Sequence, residues 1–206
     1  HGLPDVGALG PDIYLFSAYK TYGPHLGVMV IRDEMADILG NQAHYFNGAY
    51  RHKWFVPAGP DHGQVAAAQG VIDYFDRLHD HHFEKASTVQ VRAQRVRKLI
   101  QEADAALLPQ LLDYVSEHPK LTLVGPSNPA KRAATVSILP TDQTPQELAA
   151  KLVKQGIICG AGHFYAVRLL EALGVDPDTG VLRLSFVHYT SQEDMQQLLN
   201  ALDRVL

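Results

Sequence analysis

The sequence predicts an α/β fold in two parts, and three observations carry that expectation. Apolar runs of strand length occur at 12–17 (DIYLFS), 26–32 (LGVMVIR) and 181–189. Val65, Ala68, Val71, Ile72, Phe75 and Leu78 recur at spacings of three and four, the period of a helix with one buried face. A second helical stretch from about Ser87 to Val115 is long enough to link two lobes, and the division is placed within it, giving residues 1–95 and 96–206.

Taken in order, 12–17 reads as a buried strand and 26–32 as its neighbour, with the polar turn Ala18–His25 at a sheet edge or mouth. A short helix over 33–39 ends near Gly40. Residues 41–62 hold aromatics and three histidines without a period. Long irregular segments of this kind are usually functional or disordered, and the aromatic content favours function. The period turns helical from Gly63. In the long helix Pro109 marks a point of kinking or splitting.

The remainder reads as a compact α/β unit. Leu121–Val124 and Ala134–Leu139 are strands. Thr144-Pro145-Gln146-Glu147 is a helix start, with threonine as cap, proline at the first position and glutamate completing a capping box. That helix ends at Gly156, Ile157–Cys159 is a brief strand, and Phe164–Leu173 is a helix closed by Gly174. Val181–Tyr189 alternates, with Leu182, Leu184 and Phe186 on one face and Arg183 and Ser185 on the other. Ser191-Gln192-Glu193-Asp194 opens a last helix with the stripe Met195, Leu198, Leu199 and Leu202.

Composition narrows the function classes. Eighteen basic residues against 22 acidic ones give a net charge of −4, so no basic excess is available for a nucleic-acid backbone. The single cysteine excludes an internal disulfide and fits a reducing cytoplasm. The longest near-apolar run, Leu26–Ile31, is far too short to span a bilayer, and no signal peptide is visible. The first residue is His1, so the chain is expected to be processed, truncated or incompletely recorded.

The informative segment is Phe16-Ser17-Ala18-Tyr19-Lys20-Thr21-Tyr22-Gly23-Pro24. It places one lysine just past a strand, before a Gly-Pro turn. A partly desolvated lysine there would present a neutral amine for Schiff-base chemistry, with Ser17 offering a hydroxyl to a phosphate, although a lone strand-end lysine read by itself is more often a solvated surface residue. Asp12, Ser17, Lys20, Gly23 and Pro24 follow the run Asp-x-x-x-x-Ser-x-x-Lys-x-x-Gly-Pro. The segment resembles the lysine segment of the class V aminotransferases, the pyridoxal 5′-phosphate (PLP) family that includes the cysteine desulfurases. The resemblance implies that Lys20 holds PLP as a Schiff base and that Ser17 contacts its phosphate. Tyr19 stands where many desulfurases carry histidine, and its phenol is expected to reach a phosphate oxygen.

Further segments extend the resemblance. Val181–Thr190 with Glu193 and Asp194 is similar to the family's closing motif, whose arginine grips the substrate carboxylate; Arg183 holds that position. Without the resemblance, an ordinary ion pair is the simpler reading of Arg183. Gly156–Ala166 resembles the loop that bears the persulfide cysteine of one desulfurase branch. Here Gly160 replaces an arginine and Tyr165 replaces the cysteine. Cys159 lies six residues early and reads as a small core residue, which argues against desulfuration. His163, Phe164 and Tyr165 are expected either to line the substrate side or simply to cap a helix. In Pro57–His62, Pro60 stands where the family often has a threonine that reaches the phosphate of the neighbouring subunit's PLP; the contact is expected to be lost or taken over by a neighbour such as His62.

The resemblance covers the whole chain but only the C-terminal portion of a family enzyme: the end of the large mixed-sheet domain plus a small α/β domain. It implies a PLP-dependent enzyme acting on a small amino-acid substrate, a homodimer, and a cytoplasmic location. The family's glycine-rich phosphate turn, its ring-stacking residue and its pyridine-pairing aspartate have no counterpart here. The alternative reading is a non-catalytic lobe or degenerate paralogue. His79-Asp80-His81-His82 has the residue types of a zinc site, but a solvated helix end is the better reading, and no metal is expected. The run Arg92, Arg95, Arg97 and Lys98 reads as a solvated helix face.

Overall fold

The computed structural model describes residues 4–56, 59–84 and 88–206. The chain forms two compact units, Gly2–Arg97 and Lys98–Leu206, and the division falls inside one long helix.

The first unit opens with α1 (Val6–Leu9), whose first turn is capped by the Asp5 carboxylate accepting from the Ala8 amide at 3.0 Å. Two strands follow, β1 (Ile13–Ser17) and β2 (Gly27–Ile31), paired antiparallel from Ile13 opposite Ile31 to Ser17 opposite Gly27. The adjacency expected from the sequence is present. The burial expected of the first strand is not: Leu15 is 69 % exposed, and Ile13 and Phe16 are exposed as well. A two-stranded ribbon has no third layer of its own to cover both faces. Helix α2 (Asp33–Leu39) ends at Gly40, as expected.

The aperiodic stretch after α2 is held by specific bonds. The Trp54 indole donates to the Gly48 carbonyl at 2.9 Å, and the Gln42 amide donates to the Trp54 carbonyl at 2.9 Å. Arg51 reaches back to α2, pairing with Asp33 at 3.1 Å and with Asp37. The helical period from Gly63 is realised as two helices, α3 (His62–Ala67) and α4 (Gln69–His82), separated at Ala68.

Helix α5 (Val89–Glu117) passes through Pro109 without a break. Proline removes one backbone donor there, and the buried Leu107, Leu108, Leu111 and Leu112 around it supply the packing that holds the helix. The expected start at Ser87 lies outside the described residues.

The second unit is a four-stranded antiparallel sheet in the order β3-β4-β6-β5. Its strands are β3 (Leu121–Val124), β4 (Thr135–Pro140), β5 (Gly160–Gly162) and β6 (Val181–Ser185). Helices α6 (Pro145–Lys154) and α8 (Gln192–Val205) begin at Thr144 and Ser191 with complete capping boxes. Helix α6 packs on β4, β5, β6 and α8. The core joins Leu111, Val115, Val136, Ile138, Leu148 and Leu182 with Met195 and Leu202.

Three expectations in this unit are corrected. The strand read at 157–159 lies instead at Gly160–Gly162; the Ile157 amide is still bonded to the Leu152 carbonyl at 3.0 Å, closing α6, and Ile158 is 96 % exposed. The helix read from Phe164 is α7 (Val167–Ala172), because Phe164 and Tyr165 hold φ of +49° and +61°. The strand read to Tyr189 ends at Ser185, after which the Thr190 amide turns back to the Val187 carbonyl at 2.9 Å.

Candidate functional site

Lys20 sits in a single 3₁₀ turn, Ala18–Thr21, at the end of β1. The turn closes with Tyr22 in the left-handed region, φ +66°, and with the Gly23 amide donating to the Ala18 carbonyl at 2.9 Å. Tyr22 is fixed by its ring, which meets Tyr74 and Phe75 of α4 at centroid distances of 5.7 and 6.3 Å. Strand, turn and α4 together aim Lys20 into an open groove of about 710 Å³, lined by Ser17, Lys20 and Thr21 with Phe16, Met29 and Phe55.

The hydroxyls of this groove are not equivalent. Thr21 donates to the Ala18 carbonyl at 2.9 Å. Ser17 precedes the turn, and its side chain makes no capping bond to it. The Lys20 ammonium lies 5.7 Å from the Tyr19 ring, which stacks on His25 at 4.8 Å. Lys20 is exposed rather than partly desolvated, because the ribbon carrying it is open on both faces.

Ser17 and Lys20 therefore share one groove, with Tyr19 beside them. His62 does not line it. It stands exposed in the first turn of α3, next to Asp61. The Asp61 carboxyl caps that helix and is held below the usual carboxylate range, first by the Gln64 amide. Gly59, Pro60 and Asp61 line a second cavity, on which Gly27, Val28, Met29 and Phe55 also open. Phe55 thus walls both spaces, a role that nothing in the aperiodic sequence around it marked. Of the Pro57–His62 segment, Pro57 and Ala58 lie outside the described residues.

In the second unit, Arg183 projects from the exposed face of β6, opposite Ser137 on β4 and Gly160 on β5. Among the described residues no carboxylate pairs with it. Its guanidinium carbon lies instead 3.8 Å from the centre of the Phe164 ring. His163 and Tyr165 flank Phe164; the Tyr165 amide donates to His163 Nδ1 at 3.1 Å, and the Tyr165 side chain is 100 % exposed. Phe164, grouped with these two neighbours from the sequence, has a contact with Arg183 that sequence reasoning did not mark. Its signal was Gly160, the bare position opposite Arg183.

Cys159 packs against the core, and burial pushes its thiol pKa up. That is opposite to the shift an attacking thiolate needs. His79 departs from the solvated surface expected of its segment, because it is fully buried. Its Nδ1 lies 2.8 Å from Asp80 Oδ1, and Arg92 of α5 reaches the same oxygen at 3.2 Å. Arg92 also donates to Asp76 at 2.8 Å, so it belongs to this network rather than to a freely solvated face. Among the described residues, no three His, Cys, Asp or Glu side chains converge as a metal ion requires, and no helix is long and apolar enough to cross a membrane.

Comparison with known proteins bears on the same segments. The family profile of the class-V aminotransferases matches residues 84–198. Aminotransferase-like protein FGM3 of Gibberella zeae is 29% identical over 212 residues, with 100% of this chain matched to 49% of that protein. A probable cysteine desulfurase of Pseudomonas aeruginosa is 32% identical over 221 residues, with 100% of this chain matched to 48% of it. The apo structure of a cysteine desulfurase from Thermococcus onnurineus NA1 shares the fold, with a TM-score of 0.75 at 22% identity over 97% of this chain and 48% of that one. The chain spans about half the length of the curated relatives it matches. With more than half of its residues inside the family profile, this chain belongs to the aminotransferase class-V family.

Proposed function

We propose that the chain forms part of a PLP-dependent enzyme acting at the α-carbon of an amino-acid substrate, with Lys20 as the cofactor-holding lysine. The observation that carries this reading is the shared groove. An amine, Lys20, and a hydroxyl not engaged in capping its own turn, Ser17, open into one space in a chain of this family. An aldehyde-bearing, phosphate-bearing cofactor asks for that pair of groups. When bound, PLP supplies an electron sink for charge developing at the substrate α-carbon.

The chain's own residues then divide the work. Lys20 Nζ would hold the cofactor, and its amine is the base placed to take the proton from the substrate α-carbon. The Ser17 hydroxyl would donate to the cofactor phosphate, and the Tyr19 phenol is the second candidate donor to it. His62, outside this groove, is assigned to the phosphate held by a second subunit, so a homodimer belongs to the reading. Arg183 receives the substrate carboxylate through paired N–H groups, with His163 and Tyr165 at the rim.

Sulfur transfer is not the reaction proposed. The one thiol is packed against the core with its pKa raised, and the loop position expected of a persulfide cysteine is the exposed Tyr165. Transamination, epimerisation or β-elimination at the α-carbon is. The openness of the Lys20 groove supports a second reading, a lobe that is non-catalytic by itself.

Borohydride reduction after incubation with PLP, followed by peptide mapping, separates the two. A pyridoxyl adduct confined to Lys20 is expected, and Lys20→Ala abolishes it. Absent or scattered labelling overturns the catalytic reading for this chain.

A further inference from the structure

The face of β6 that carries Arg183 is built around a missing side chain. Gly160 stands opposite Arg183, and the Phe164 ring fills the space above it: a Cβ on Gly160 would meet Cε1 and Cζ of Phe164 at 3.1 Å. The guanidinium carbon of Arg183 lies 3.8 Å from the centre of that ring. Phe164 reaches this place through two consecutive left-handed residues, itself at φ +49° and Tyr165 at +61°. Such conformations are unfavourable for side-chain-bearing residues and persist only where the surroundings enforce them. His163 holds the loop on both sides. Its Nδ1 accepts the Tyr165 amide at 3.1 Å, and its carbonyl accepts the Ala166 amide at 2.7 Å.

An arginine resting on an aromatic ring is attracted by the ring's quadrupole. A guanidinium that lies flat on a ring keeps its N–H groups, which lie in its plane, open to another partner. A long side chain held in advance also loses less freedom when a ligand arrives. A carboxylate, which takes two parallel N–H bonds in that plane, is the ligand class such an arrangement suits.

We propose that Phe164, admitted by Gly160, is a positioning residue that holds the Arg183 guanidinium ready for a ligand carboxylate. The proposal rests on the carboxylate role assigned to Arg183 above. It needs neither the cofactor nor turnover for its test.

The test is an arginine Nε–Hε NMR correlation of the chain, titrated with propionate. Ring-current shielding moves the Arg183 signal upfield in the parent protein, and propionate perturbs it. Phe164→Leu loses the upfield position and binds propionate roughly two- to five-fold more weakly, the contribution of an exposed cation–π contact. Phe164→Trp restores both. Gly160→Ala, which crowds the ring and leaves Phe164 in place, moves the signal in the same direction as Phe164→Leu and serves if that variant fails to fold. Unchanged propionate affinity in both Phe164→Leu and Gly160→Ala overturns the positioning role while the carboxylate role stands. No response of Arg183 to propionate in the parent protein overturns the carboxylate role and the proposal with it.

Discussion

Gly23 and Val71 approach so closely that no side chain fits between them. A Cβ on Gly23 would fall 2.8 Å from Val71 Cγ2 and 2.9 Å from the Ala18 carbonyl oxygen. The turn that carries Lys20 is thus seated directly on α4. Gly23→Ala is expected to destabilise the chain by about 1–3 kcal/mol, the usual range for overpacking, and to reduce the selectivity of PLP trapping for Lys20. Adding Val71→Ala removes one of the two clashes and restores part of the loss. Urea denaturation of the parent and the two variants checks the stability order, and peptide mapping checks the trapping.

Among the described residues of the first unit, His79 is the buried polar one, and it ties α4 to α5. Its ring meets Asp80 at 2.8 Å, Asp80 meets Arg92 at 3.2 Å, and Arg95 Nη1 lies 3.5 Å from His79 Nε2. The Asp80 carboxyl is held below its usual range, chiefly by the bond with His79. His79→Ala leaves both a cavity and unpaired neighbours, and it is expected to cost about 2–4 kcal/mol. A urea midpoint unchanged from the parent would show that the network contributes nothing.

The two capping boxes make the second unit sensitive to acid. Glu147 accepts from the Thr144 amide at 2.8 Å, and Asp194 accepts from the Ser191 amide at 2.8 Å. Each carboxyl lies below its ordinary value, first because of that backbone bond. A folded pKa below the unfolded one stabilises above the unfolded value and is lost as pH falls through the folded value. Stability is therefore expected to hold near neutrality and to decline below about pH 4. Thr144→Ala and Ser191→Ala each cost about 1 kcal/mol at pH 7, and the double variant declines less steeply in acid. Denaturation curves between pH 7 and pH 3 read both effects.

Cys159 is expected to alkylate slowly. Burial raises its pKa, so less thiolate is present near neutral pH than for a free cysteine, and the packing limits access as well. The iodoacetamide rate should climb only well into alkaline pH. In the variant Tyr165→Cys the fully exposed position should react at the ordinary rate. Equal rates at the two sites would contradict the burial of Cys159.

What the sequence made legible was whatever local chemistry decides. Thr144 and Ser191 announce helix starts because a cap, its reciprocal acid and the following stripe lie within a few residues. Lys20 and Ser17 stood out through the resemblance of their segment to a family motif, and they do share a groove. The failures have a different cause. The apolar letters of β1 imply burial, but cover for a strand comes from other layers, and the ribbon has none of its own. Phe164 and Tyr165 look helical by composition, and only the backbone reveals their left-handed turn. His79 looked like surface among charged neighbours until Arg92 and Arg95, more than ten residues away in sequence, closed over it.

The order of the sheet carries a consequence for synthesis. β6 lies between β4 and β5, yet it follows both in sequence. A growing chain emerges with β5 complete and no strand for it to join, because its one neighbour in the sheet, β6 (Val181–Ser185), comes later and also links it to β4. The three-residue β5 and the far edge of β4 stay unpaired until the ribosome has delivered that segment. The β3–β4 pair has both of its strands before then, but the sheet closes only with β6, and a stalled chain ending before Val181 would display an open sheet edge on β4.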